Sequence, residues 1–467
     1  MSSGWQSYIP KLEELAHRLG LEWDPVMFEP VPDSFMTEVA VYGLPVRMPH
    51  WSFGARYIYQ LVQRHMGYSR LFEIVFPGNP GHAFVASSNS LADNVLVTAH
   101  VLGHADFSHN NLLFRRCQEQ VSEHIVEHAA EHAHRIDGYI EAYGMQAVEQ
   151  VLDAALSLEQ YIDVDQPLRR PRYPEYLAAP GTAADDHFRA RYSALDGSAA
   201  AAPSVRKQRA PVPPRPERDL LWFIASYAPE MEDWERDIFL AVREESFYFY
   251  PVYATQIMNE GWASYWHARL LREADFIPQA AYLDAIKCHS DVVRPIAAGE
   301  QAALAINPYH VGFVLWERIV RDGGLDAARS IMRQDDDFSF IRNQLTPELA
   351  DSMDLFRYRR QDNGQIKVAA QDIDALRETL LQERYNFGAP RVTVSELRQD
   401  GSLVLAHDTQ VDGRGLDLER ARRVLEYVQR LWRRPVHIRT VDAALQTFEL
   451  SVPGSATRRG AATGLTA

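Results

Sequence analysis

Apolar residues at Ile9, Leu12, Ala16 and Leu19 recur three or four apart and stop at Gly20, the period and the terminator of an amphipathic helix. The segment "MPHWSFGARYIYQLVQRH" at 48–65 reads as a turn entering a second helix, and "LFEIVF" at 71–76 as a strand closed by the breaker "PGNPG". Helical spacing runs from about 90 to 160, resumes at "DLLWFIASYA" and continues to about 335. Near 388 the period changes. "RVTVSEL" and "SLVLAHD" alternate around "RQDG", "DLERARRVLEYVQRLW" is an amphipathic helix, and "PVHIRTVD" and "QTFELSV" are two further strands. Between 181 and 218 periodicity gives way to Ala, Ser, Pro and Arg. The expected organisation is therefore a mainly α N-terminal domain over 1–345 with a disordered insertion at about 181–218, a small α+β domain over 346–453, and a flexible tail over 454–467. No internal repeat interrupts this pattern.

Composition supports a folded chain, with 46% hydrophobic and 24% charged residues. A net charge of -15 sets the surface against phosphate backbones and anionic lipid, which argues against a broad nucleic-acid interface; the basic stretch from Arg206 to Arg218 reads as solvated linker. "MSSGWQSYIPKLEELAHRLG" has no basic region followed by an apolar one, and no apolar run approaches a membrane span, so the expected location is the cytoplasm. With Cys117 and Cys288 the only cysteines, a disulfide framework and a CxxC metal site are excluded. Any metal must be held by His, Asp or Glu.

The stretch "TAHVLGHADFSHNN" puts His100 and His104 four apart on one helix face, where two imidazoles can share an ion as in HExxH. Taken alone, such a pair is more often a satisfied core feature. Here apolar "NVLVT" precedes it, Gly103 lies between, and Asp106, His109, Asn110 and Asn111 follow, the profile of a buried helix ending in a polar cavity. Glu260, in apolar "IMNEGWA", is the candidate third ligand, since a buried carboxylate must be paired, protonated or metal-bound; an ion pair with a core arginine is an equal alternative. His267, two turns on, is a possible fourth ligand or a partner of one. Tyr309 and His310 follow the helix start Asn307-Pro308, where a hydroxyl and an imidazole can stabilise an oxyanion, although from spacing alone a cap with a satisfied polar pair is the better account. His124, His128 and His132 share a helix face, but Glu131 and His134 supply one ExxH without the second that a di-iron bundle needs, so a solvated face is expected, with His132 the member to watch.

Together "HWSFGARY", "LFEIVFPGNP", "AHVLGHADFSHNN", "HAHRIDGYIEAYG", "PERDLLWFIASYAPEMEDWERDIF", "YFYPVYATQIMNEGWASYWH", "NPYHVGFVLWERI" and "LWRRPVHIRTVD" resemble the SpoVR family, stage V sporulation protein R-like proteins. The resemblance spans nearly the whole chain apart from the 181–218 stretch and the two tails. It departs from the family pattern at "SHNN", at "PVYATQI" and in the insertion, none of which touches His100, His104, Glu260 or His310. It implies a link to spore cortex formation or stress response. A PrkA-type serine kinase and a von Willebrand A-like protein are the implied partners.

Two functions follow. One is a metal-dependent hydrolase similar to gluzincin peptidases, with a zincin-like helical arrangement, a divalent ion (zinc first) on His100, His104 and Glu260, and His267 as a possible addition. Val101 occupies the position of the usual general base, so another carboxylate must serve, with Glu73 the candidate; alternatively Glu260 is the base and His267 or His310 completes the ligands. The other is a non-catalytic regulatory or scaffold protein acting with the kinase, which the absent base favours.

Overall fold

Trp262, Trp266 and Trp316 are fully buried together with Phe340, so the helical part of this chain is organised around aromatic rings packed edge-on or tilted against one another. The computed structural model describes residues 4–53, 72–121, 124–169, 173, 212–293, 307–355, 358–360, 366–368, 372–382, 384–413, 415–442 and 446–453. The expectations for a helix over 54–65, for 181–211 and for the tail lie outside these residues. A mainly helical region is followed by a small α+β region, as the periodicities predict.

Two compact units are present, and their boundaries run differently from a single cut near 345. Residues 1–152 and 240–389 form the first, and 153–239 with 390–467 form the second. Pairing explains the difference. Glu217, at the end of the stretch read as insertion, is buried; it bridges to Val394, and its carboxylate accepts from the Tyr173 hydroxyl at 2.7 Å. Residues 212–218 are thus built into the second unit.

The first unit contains a three-stranded sheet of β1 (Val26–Val31), β2 (Glu73–Phe76) and β3 (Gly81–Ala86), with β3 central, parallel to β1 and antiparallel to β2. It also holds a short antiparallel pair, β4 (Tyr358–Arg360) and β5 (Ile366–Val368). Its helices include α1 (Ile9–Arg18), α2 (Leu91–Asn110), α3 (Ile125–Tyr143), most of α4 (Asp233–Ala254), α5 (Gln256–Glu273), α6 (Gln279–Val293), α7 (Pro308–Gln334) and α8 (Asp337–Gln344). α2 is buried nearly all round. Val97 and Val101 pack with Ala83, Val85 and Trp5 on its sheet side, while Val95, Leu96, Ala99 and Leu102 join the helical core.

The second unit is a four-stranded sheet in the order β6 (Val392–Leu397), β7 (Leu403–His407), β8 (Val436–Val441), β9 (Thr447–Val452). β7 and β8 are parallel, and α9 (Leu418–Trp432) makes the crossover, burying Leu425, Val428, Leu431 and Trp432. Phe223 stacks on Trp432 with ring centres 6.3 Å apart, which ties residues before 239 to this sheet.

Candidate metal centre

A capping box starts α2: the Ser90 hydroxyl accepts from the Asp93 amide, and the Asp93 carboxylate accepts from the Ser90 amide. α5 starts on a borrowed cap. The two oxygens of buried Asp337, on α8, accept from the amides of Ile257 and Met258 at 2.9 Å each. Burial pushes that carboxyl up to about 7, against the opposing charge of Arg384.

Small residues let these helices touch. A Cβ on Gly103 would lie 2.7 Å from the Ala263 Cα, and one on Gly261 would lie 2.3 Å from the Gly312 carbonyl carbon. α2 meets α5, and α5 meets α7, at backbone contact. That closeness brings His100 and His104 of α2, Glu260 of α5 and Tyr309 of α7 to one point.

There the Nε2 atoms of His100 and His104 both face the same oxygen of Glu260, each at 3.4 Å. This oxygen, Oε2, is buried and makes no well-aligned hydrogen bond. Three ligand atoms about 2.0–2.1 Å from a zinc ion at tetrahedral corners stand about 3.3–3.4 Å apart, so both observed separations match the edges of such a site. Among the described residues, His100, His104 and Glu260 are the group whose ligand atoms lie close enough together to share an ion, all within 4.8 Å of one another. The donor set of two imidazoles and a carboxylate suits zinc and leaves a fourth position.

Outer contacts orient both imidazoles. The Asn259 side-chain oxygen lies 2.8 Å from Nδ1 of His104, so Nδ1–H donates and Nε2 is left for the centre. Nδ1 of His100 lies 2.9 Å from Nδ1 of His267, and Nε2 of His267 lies 2.6 Å from Nδ1 of His289 on α6. His267 is therefore behind His100 as its partner, and does not extend the ligand set.

Charges in the site are strongly coupled. Burial opposes ionisation of Glu260, yet the charge of His104 and the facing imidazoles outweigh it and hold the carboxyl well below its usual range. Burial lowers His104 too, but the Glu260 carboxylate prevails and raises it. Burial and then the His104 charge lower His100. Glu73, the first residue of β2, points an oxygen to 3.9 Å from Nε2 of His100; desolvation pushes it up to about 7. The Glu260 charge, followed by burial, raises Tyr309, whose ring stacks near that of His100 with centres 6.1 Å apart.

The remaining sequence candidates separate cleanly. His310 puts Nδ1 2.9 Å from the Val293 carbonyl, so Nδ1–H donates and its buried Nε2 carries no proton in the neutral ring that burial favours. An oxyanion donor at His310 is thereby disfavoured. Asp106 accepts from the Trp262 indole at 2.8 Å and from the Glu22 amide at 2.9 Å, while Asn111 caps the next helix and donates to the Met332 and Asp335 carbonyls. The polar crowd after His104 is scaffold. His128 and His132 pair with Glu244, and His132 also with Glu245, as ion pairs outside the group of described residues whose ligand atoms converge. Sequence reasoning missed Asn259 and His289; Asn259 is legible afterwards as the residue preceding Glu260, whereas His289 has no local signal.

The family described as SpoVR like protein matches residues 3–389, and the SpoVR-like C-terminal domain matches 391–443. The chain belongs to the SpoVR family. The junction between the two matched regions coincides with the start of the C-terminal part of the second unit. A relative, the "Uncharacterized protein YcgB" of Escherichia coli (strain K12), is 28% identical over 465 residues, covering 91% of this chain and 89% of its own. No solved structure matches. No helix among the described residues is long and apolar enough to cross a membrane.

Proposed function

We propose that this SpoVR chain is a metal-dependent hydrolase acting on an amide or related bond, similar to gluzincins in its ligands and different in its base. The observation that carries the reading is the orphaned Oε2 of Glu260, faced by two Nε2 atoms at the spacing of zinc ligands. A divalent ion held by His100, His104 and Glu260 would supply Lewis acidity toward a carbonyl and a water molecule. Glu73 takes the proton from the attacking water. Desolvation raises its pKa, which suits a group that must accept a proton and then return it to the leaving amine. Tyr309 stays protonated and donates to the developing oxyanion. Val101 is no obstacle to this arrangement, because its side chain faces the sheet that carries Glu73.

A second reading, a non-catalytic scaffold working with a PrkA-type serine kinase, is favoured by the absence of a carboxylate at position 101. Two measurements together separate them. Metal content by mass spectrometry on untagged protein is expected to be near one ion per chain, lost in His100→Ala/His104→Ala and in Glu260→Gln but kept in Glu73→Gln. Cleavage of a peptide library by the wild type should fall about 100- to 10,000-fold in Glu73→Gln. A full complement of ion with no cleavage of any library member favours the scaffold, and a metal-free, folded wild type removes the hydrolase.

A further inference from the structure

Behind the candidate centre runs a line of three imidazoles whose protons are not independent. Nδ1 of His100 faces Nδ1 of His267 at 2.9 Å, and Nε2 of His267 faces Nδ1 of His289 at 2.6 Å. Each contact is a hydrogen bond and so holds one proton between its two nitrogens. Three neutral rings carry three protons. Two occupy the hydrogen bonds, and the third sits at one end of the line.

Only two arrangements satisfy this count. In one, His100 is protonated on Nδ1, and His267 and His289 on Nε2, leaving Nε2 of His100 with a bare lone pair toward Glu260. In the other, every proton is on the opposite nitrogen, and Nε2–H of His100 points into the centre. The first alone can bind an ion. His267 is buried between the other two rings, and at 2.9 and 2.6 Å neither contact has room for two N–H groups head to head, so each holds a single proton.

We infer that His289, which lies outside the centre, is a positioning residue that acts through His267 to set which nitrogen of His100 faces Glu260. This rests on the proposed ion site only for its purpose; the coupling of the three rings stands on their own contacts. His267 is fully buried, so its second nitrogen has no solvent to replace His289. His289 is half-buried and its ring packs edge-on against Phe313, with centres 5.3 Å apart, which holds Nδ1 toward His267. Metal-bound histidines commonly rest on a carboxylate or a carbonyl; here the Ala263 backbone carbonyl also hydrogen-bonds His100, and beside it stands another imidazole, itself supported by a third.

The test uses the full-length chain labelled with 15N-histidine. Three forms are compared: wild type, His289→Phe, which keeps the packing and removes the acceptor, and His289→Gln, which keeps an acceptor. Ring-nitrogen shifts report each tautomer, and competition with a chromophoric chelator reports zinc affinity. In the wild type with zinc, His267 and His289 are expected as Nε2–H. His289→Phe should weaken zinc about 10- to 100-fold and let His100 and His267 populate both tautomers without zinc, while His289→Gln recovers to within a few-fold. Unchanged tautomers and affinity in His289→Phe, with an unchanged melting temperature, overturn the inference. Should the wild type bind no zinc, the ion site fails, and the metal-free spectra decide the rest. A single shared sense along the three rings, lost in His289→Phe, upholds the coupling; mixed tautomers in the wild type overturn it.

Discussion

Position 101 shows how a single side chain constrains the chemistry. A glutamate there would restore the HExxH pattern on paper, but Val101 is fully buried against Ala83, Val85 and Trp5. Val101→Glu is expected to cost about 3–5 kcal/mol of unfolding free energy in urea titration, because it places an unpaired carboxylate in an apolar cluster. His132 illustrates a different balance. Burial alone lowers it, yet Glu244 and Glu245 raise it to about 9, and Glu244 is held down to about 2 chiefly by its hydrogen bond from His132. A histidine raised on folding contributes stability that is complete below its unfolded value and lost as pH rises through the folded one. His132→Gln should therefore cost about 3 kcal/mol in chemical denaturation at pH 6 and distinctly less at pH 9.5 and above. Among the candidate residues, the convergence of His100, His104 and Glu260 was readable because donor chemistry and helical spacing are local properties. Tyr309 and His310 looked alike in sequence; Tyr309 lies beside His100 and Glu260, whereas His310 is turned to the Val293 carbonyl.

At the scale of elements, the centre depends on how closely three helices approach. Gly261 and Gly312 meet at backbone contact, and neither has room for a methyl group. Gly261→Ala is expected to lose about 3 kcal/mol or more in thermal or denaturant unfolding and to fall in metal stoichiometry, since Glu260 is the neighbouring residue. The helices themselves were legible from apolar periodicity. The first sheet was not: β2 was readable in "LFEIVF", but β1 contains Pro30 and β3 starts at Gly81, both weak strand formers whose pairing is decided by their neighbours. Nor does periodicity show that Glu73, at the start of β2, reaches a helix that begins at Leu91.

Across the whole molecule, the C-terminal sheet does not stand alone. Glu217 pairs with Val394, Phe223 stacks on Trp432, and Glu235 accepts from Arg433 at 2.7 Å. A fragment of residues 390–453 is thus expected to bind ANS and to give poorly dispersed NMR spectra, whereas the full chain does not; a cooperatively folding fragment would contradict this. Sequence reasoning found the strands of this sheet and missed their partners, because contacts between distant segments leave no local period. The first unit is discontinuous in the same way, interrupted by 153–239. His104 and its support Asn259 are 155 residues apart. At about 5–20 residues per second, the two imidazoles wait roughly 10–30 s on the ribosome before the facing carboxylate is made. The candidate centre is thus a late product of synthesis: a nascent chain cannot bring Glu260 against His100 and His104 until an entire intervening segment has emerged.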